Sequence, residues 1–490
     1  MLYLLFILFP ISMAATCFVL RKYTELIIVA AVGTIFTQAF FLAQIPLDDL
    51  TRILGIILSL NALNRLFIFL FLSIGALAFI VSWHLPHGEN FIPVTLLMLA
   101  LNCTILLLQD PFLQLLLLLS ASLTAVLAMV DLPTGAGALV GTRVIATAIK
   151  YLILMIIAGM LIYLSFVLMD IYQPGETRGQ FPLTRFILAL LTTGFALRFA
   201  LIPFQTWLND LVEDGSPMVT ALVISIFQIT SLFVLVLALQ RFPTILIENP
   251  FGLTLLRIGG IVTSVSAGLL TLSQASLRRT LAYLLIYNSG MVFYGLVSIS
   301  EIGLMGAMFE LFNQTLAIML LFVSLALLEF PDGRAPGIER HDLLRRWPVA
   351  GLGFISGGLA LLGLPPFSGY ASKMLIYQEA AQRSWLEFLP LLLATALAGL
   401  GLARICQQKL LGASATDDDL LGTRQTALVF QELLPPTESL AERNLKAEPT
   451  STAILTLLLL GACLVIGLYP QPLLAMISDV IQSLTFVQAL

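Results

Sequence analysis

The residues best suited to chemistry stand beside two proline breaks in otherwise apolar runs: Arg198, ahead of Pro203, and Lys373, just beyond Pro365, Pro366 and Gly369. Proline withholds a backbone donor and frees a carbonyl, so a turn it breaks can solvate a cation or a chain of waters within a membrane span. Charge at membrane depth is costly and marks ion paths. A pair of Pro/Gly-broken spans at corresponding positions of two halves is the sequence mark of an inverted-repeat transport site near mid-membrane. Ordinary kinks with packed basic stems are the competing explanation, and two breaks that both carry a basic neighbour speak against it.

Lys150, Arg257, Glu310 and Arg404 fall at comparable depth. Arg257 and Arg404 lie close to the ends of their apolar runs and read as snorkelling side chains. Lys150 is open to two explanations, a desolvated amine able to change its charge or a stem that reaches the interface. Glu310 has no cation on its own helix face, so it is either neutral or paired across helices. Tyr283, Tyr287, Asn288 and Ser289 offer groups for a hydrogen-bonded chain, although aromatic and amide packing accounts for them more simply.

The setting of these charges is a chain of 490 residues that is 59% hydrophobic and 11% charged, with a mean hydropathy of +1.01. Soluble domains carry about a quarter charged residues, so lipid is the solvent for most of this one. A net charge of −4 argues against a nucleic-acid surface, which works by neutralising phosphates. Cys17, Cys103, Cys406 and Cys463 are scattered without a C-x-x-C pair and read as packing residues. His84, His87 and His341 are too few and too dispersed to ligate haem, so any electrons are carried by another chain. Gly351, Gly353 and Gly357 lie in an apolar run with no strand before them, which indicates close helix packing and not phosphate binding.

A helix needs about 20 apolar residues to cross a bilayer. Fourteen runs qualify, at 1–20, 25–44, 66–83, 91–108, 112–130, 144–168, 186–204, 218–240, 254–275, 281–298, 303–329, 348–380, 386–405 and 452–469. The first lacks a basic stretch ahead of it and a small-residue cleavage site behind it, so it reads as a retained span. The positive-inside rule places Arg21, Lys22, Arg278, Arg279, the stretch from Arg334 to Arg346 and the 406–450 segment in the cytoplasm, with both termini outside. Arg52, Arg65 and Arg178 then fall outside, against the rule. Polar residues gather in loops 331–347 and 406–450; the latter, with Asp417 to Asp419 and Pro435-Pro436, is the nearest thing to a linker.

The broken spans and their surroundings resemble the antiporter-like membrane subunits of respiratory complex I, relatives of Mrp-type cation/proton antiporters and membrane hydrogenases. Within that family the chain is most similar to subunit N of NADH-quinone oxidoreductase. The resemblance covers roughly 66–470 and is carried by Lys150-Tyr151, by Arg198 through Pro203, Phe204, Gln205, Thr206 and Trp207 to Asp210, and by Gly215-Ser216-Pro217 with Val219 to Ala221. Further along it continues through Gln274 to Tyr283, including Arg278 and Arg279, then Leu364 to Lys373, and ends with Gly467 to Pro472.

The resemblance implies an all-α fold of fourteen transmembrane helices built from two inverted five-helix repeats, each with one Pro-broken helix. The expected division is 1–108 for N-terminal helices, 109–240 and 241–405 for two half-channel units, 406–451 for a cytoplasmic polar loop, and 452–490 for a last helix and tail. In the family, lysines at mid-membrane pass a proton and a fifth-span glutamate tunes the first of them. Lysine suits this because a desolvated amine can titrate near neutrality, which a guanidinium cannot.

Residue by residue, the match is incomplete. The fifth-span glutamate falls near Leu117, the first broken-helix lysine is Arg198, a second lysine is Gln228, and the histidine after Pro203-Phe204 is Gln205; the lysine of the second broken helix is retained as Lys373. The implied protein is a divergent membrane-arm subunit of a complex-I-type oxidoreductase in a bacterial inner membrane or an equivalent one, structural or only partly proton-conducting. It is expected to bind no cofactor, with NADH or another donor, iron–sulfur clusters and quinone on partner subunits. Two other possibilities are a stand-alone or Mrp-like ion transporter, in which Arg198 binds an anion, and an accessory scaffold in another energy-coupling complex.

Overall fold

The computed structural model describes residues 2–47, 50–53, 55–85, 87–131, 138–171, 183–329, 343–411, 450–482 and 484. Most of both polar loops, His341 and Arg178 lie outside the described residues, and so do the expectations placed on them.

The chain folds almost entirely as helices. In order they are α1 (Leu2–Val19), α2 (Thr24–Gln44), α3 (Ala62–Ser82), α4 (Phe91–Leu107), α5 (Pro111–Val130), α6 (Ala138–Ile171), α7 (Leu183–Arg198), α8 (Thr206–Asp214), α9 (Pro217–Arg241) and α10 (Thr244–Ile247). There follow α11 (Pro250–Ser273), α12 (Leu277–Ser298), α13 (Glu301–Glu329), α14 (Leu343–Arg346), α15 (Pro348–Leu362), α16 (Gly369–Arg383), α17 (Trp385–Ile405), α18 (Thr450–Leu468) and α19 (Gln471–Gln482).

Among the described residues, 11 helices are long and apolar enough to cross a membrane, and α4 and α15 are shorter apolar helices. With α7 prolonged by α8, each of the fourteen expected spans is met by a helix or a broken pair. The expected run 186–204 stops as a helix at Arg198, and 348–380 divides into α15 and α16, in both cases because proline cannot continue the backbone ladder. A hairpin, β1 (Thr51–Ile53) and β2 (Ile56–Leu58), was not anticipated; Gly55 at φ +86° turns it. The chain is a multi-span integral membrane protein.

Burial sorts the helices. α9 and α13 are apolar almost all round and their residues are enclosed by neighbours, as a helix without a polar face must be. The lipid-facing sides of α5, α6, α11 and α17 show Leu116, Ile149, Ile153, Leu255 and Leu393. Helix starts are fixed locally: the Asp110 carboxylate accepts from the Phe112 and Leu113 amides (2.9 and 3.3 Å), and the Ser276 hydroxyl from the Arg279 amide (3.2 Å).

The glycines of α15 pack as expected. A Cβ on Gly353 would lie 2.3 Å from Ser324 Oγ, and one on Gly357 would lie 2.7 Å from Leu321. All four cysteines are free and buried. Helix ends meet as alternating crossings require: His84 Nε2 is 2.7 Å from Ser451 Oγ at one end of the bundle, and at the other Arg383 donates to the Ser298 carbonyl (2.6 Å).

Candidate functional site

The second break brings the sharpest constellation together. After α15 the chain turns at Gly363 (φ +75°), passes Pro365 and Pro366, and restarts at Gly369. A Cβ on Gly369 would lie 1.9 Å from the Ala360 carbonyl oxygen, so only glycine lets α16 start against the end of α15. Lys373 follows in the opening turns of α16, its side chain 1% exposed, and Glu310 of α13 is 0% exposed.

Lys373 Nζ lies 3.4 Å from Glu310 Oε1. The amine also donates to Asn288 Oδ1 and sits 4.7 Å from the centre of the Tyr287 ring. Glu310 in turn accepts from the Ser372 hydroxyl and from Asn313 Nδ2 (3.3 Å). Asn313 also donates to the Ala360 carbonyl (3.2 Å) and accepts from Ser368, so one side chain of α13 ties both sides of the break. These extra hydrogen bonds are what a buried ion pair needs to offset its desolvation. Glu310 is thus paired across helices.

From Asn288 the polar line continues away from the break. Its Nδ2 donates to Gln314 Oε1 (2.8 Å), Gln314 donates to Gln228 Oε1, and Gln228 Nε2 donates to Ser289 Oγ (3.0 Å). Asn288 and Ser289 therefore belong to a hydrogen-bonded chain, Tyr287 lies against the amine, and Tyr283 near the start of α12 stands outside the line. Carboxamides donate and accept but do not take up a proton as ions.

The first break is built differently. α7 ends at Arg198, Ala200 takes a positive φ of 55°, and α8 begins after Pro203 and Gln205. Trp207 Nε1 donates to the Leu197 carbonyl (2.9 Å) and its ring meets Tyr151 at 5.4 Å. Arg198 is 3% exposed, and none of its guanidinium nitrogens has a hydrogen-bond partner among the described residues. Gln205 Oε1 is likewise buried without one. Leu117 is a partly buried core residue of α5, which contains no acid.

Lys150 forms a 2.6 Å ion pair with Asp210 of α8, the two side chains 42% and 37% exposed. The structure thus joins Lys373, Glu310 and Gln228 in one network and leaves Lys150 and Arg198 outside it.

Snorkelling does not describe Arg257. Its Nε lies 3.4 Å from Glu387 Oε2, with side chains 11% and 16% exposed, and Tyr294 donates to the same carboxylate oxygen (2.7 Å). Arg404 is exposed and donates to the Leu272 carbonyl. Sequence reasoning also missed what Arg278 does. Its guanidinium forks onto Glu329 at the end of α13 (2.7 and 2.6 Å) and donates to the carbonyls of Val212, Glu213 and Gly215 (3.2, 2.8 and 2.9 Å). Asn313 and Glu387 went unmarked as well, because each gains its meaning from helices distant in sequence.

Residues 143–398, more than half of the chain, match the family described as NADH:quinone oxidoreductase/Mrp antiporter, TM. The chain belongs to that family of antiporter-like membrane subunits. Relatives include NADH-quinone oxidoreductase subunit 14 of Thermus thermophilus, 33% identical over 232 residues, or 46% of this chain and 50% of that protein. NADH-quinone oxidoreductase subunit N 2 of Opitutus terrae is 29% identical over 196 residues, 40% of each chain. Formate hydrogenlyase subunit 3 of Escherichia coli is 27% identical over 280 residues, 54% of this chain and 45% of that protein. The chain thus spans half or less of the length of these relatives.

Among solved structures, a chain of the Mrp complex from Dietzia sp. superposes with a TM-score of 0.80 at 18% identity, covering 99% of this chain and 98% of that one. A chain of Thermus thermophilus respiratory complex I with bound NADH gives 0.78 at 16%, covering 100% and 99%. These likenesses establish the fold.

Proposed function

We propose that the protein is a membrane-arm subunit of a multisubunit oxidoreductase of the complex-I type, and that it moves protons only through its second broken helix. The observation that carries this is the contrast between the two breaks. At the second, a buried amine and a buried carboxylate face each other within a satisfied hydrogen-bond network, an arrangement in which either group can change charge as the other moves. At the first, the corresponding position holds a guanidinium, which keeps its proton under ordinary driving force, and the link between the halves runs through Gln228 and Gln314. The subunit is then structural in its first half and partly conducting in its second.

The chain holds no redox centre in this account. NADH or another donor, iron–sulfur clusters and quinone belong to partner subunits, in a bacterial inner membrane or another energy-transducing one. Mild detergent extraction of the tagged chain from its native membrane, followed by mass spectrometry, tests the assignment. Quinone-oxidoreductase or hydrogenase subunits are expected to accompany it; a chain recovered alone at full yield contradicts the assignment and points to independent transport.

A further inference from the structure

The structure assigns the first break a site for a small monovalent anion of the size of chloride, held at the Arg198 guanidinium. The assignment goes beyond the proposed function and does not rest on the role of Lys373. It starts from charge balance. Arg198 is buried, and its Nε, Nη1 and Nη2 have no hydrogen-bond partner among the described residues. A charge held that far from water needs an opposite charge and acceptors close by. The carboxylates of the surrounding helices supply neither. α5, α7 and α9 contain no acid. α6 contains Asp170 alone, exposed in its last turn and about five turns beyond Tyr151. The three acids of α8 are engaged elsewhere: Asp210 with Lys150 (2.6 Å), Glu213 with Arg279 (2.7 Å), and Asp214 with the Thr147 hydroxyl (2.8 Å).

Donors, by contrast, converge there. The guanidinium presents its N–H groups in a planar fork. Tyr151 of α6 brings its hydroxyl beside Ser122 of α5 and within electrostatic reach of Arg198. Ser122 gives its own proton to the Leu118 carbonyl (2.8 Å), so it can only accept from Tyr151, and the phenolic proton can turn to an anion instead. The shape of the break limits the ligand. Phe199, Leu201 and Trp207 are buried, and Trp207 is fixed by its bond to the Leu197 carbonyl and by the Tyr151 ring, which suits a compact ion and not a lipid headgroup. One guanidinium carries one charge, so a monovalent ion neutralises it, whereas a dianion leaves a negative charge at the same depth.

Thermal melting of the assembled complex in sodium chloride, against sodium gluconate at equal ionic strength, tests the site, because gluconate is too large for it. Chloride is expected to raise the melting temperature of the wild type saturably, by about 2–5 °C. Equilibrium binding of isotopic chloride is expected to show one equivalent more per chain in the wild type than in Arg198→Met. In gluconate Arg198→Met is expected to be at least as stable as the wild type, and exchange into chloride is expected to bring it no saturable gain. Tyr151→Phe keeps the charge and removes one donor, and is expected to weaken chloride binding about tenfold. A guanidinium solvated by water alone shows none of these effects. The same melting temperature in both salts for the wild type, or an equal chloride effect in Arg198→Met, overturns the site. Should Arg198→Met fail to assemble, an unchanged chloride affinity in Tyr151→Phe overturns it as well.

Discussion

At the scale of single residues, the account turns on partners. Lys373 and Glu310 were each visible in the sequence as charges at membrane depth, but their pairing was not, because it joins two helices far apart in the chain. Glu310→Gln leaves a buried ammonium without its carboxylate, a loss of about 3–5 kcal/mol, measurable as a lower melting temperature of the assembled complex. The double variant Glu310→Gln/Lys373→Met is expected to lose much less than the sum of the two single variants. Additive losses would show that the pair does not interact. Arg198 presents the opposite case: its buried guanidinium has no protein partner among the described residues, so Arg198→Met is expected to keep or raise thermal stability. A marked fall would reveal a counter-charge that the described residues lack. That Arg198 is a charge at membrane depth beside a proline break was legible in the sequence, whereas its isolation required the packing of α7 against α6 and α9.

At the scale of elements, prolines and glycines announced most of the architecture. Pro203, Pro365 and Pro366 marked both breaks, and Gly353 and Gly357 marked the contact of α15 with α13. The hairpin at Thr51–Leu58 escaped notice because two three-residue strands leave too short a pattern to separate from a loop. Arg257 was misjudged because position near a helix end does not say which neighbour waits there. The tightest element-level constraint is Gly369, where an added Cβ meets the backbone oxygen of Ala360 and not a flexible side chain. Gly369→Ala is expected to push α16 away from α15, lengthen the contact of Lys373 with Glu310, and lower both assembly and proton transfer. Unchanged activity in that variant would show that the break has slack.

At the scale of the whole molecule, the two broken helices sit in one bundle whose parts are clamped across the chain. Arg278 binds the end of α8, which belongs to the first break, to Glu329 at the end of α13, which carries Glu310. Lysine supplies charge but no planar fork, so Arg278→Lys is expected to destabilise the assembled subunit by about 1–3 kcal/mol, seen as a lower melting temperature. No such loss would mean that the carbonyls are satisfied in another way. The central claim, that protons pass through the second break and not the first, is tested most directly by proton uptake of the reconstituted complex driven by its own electron donor, measured for Lys373→Ala and Arg198→Met side by side. The account predicts fewer protons per electron in Lys373→Ala and an unchanged ratio in Arg198→Met. An unchanged ratio in assembled Lys373→Ala, or a loss confined to Arg198→Met, would contradict it.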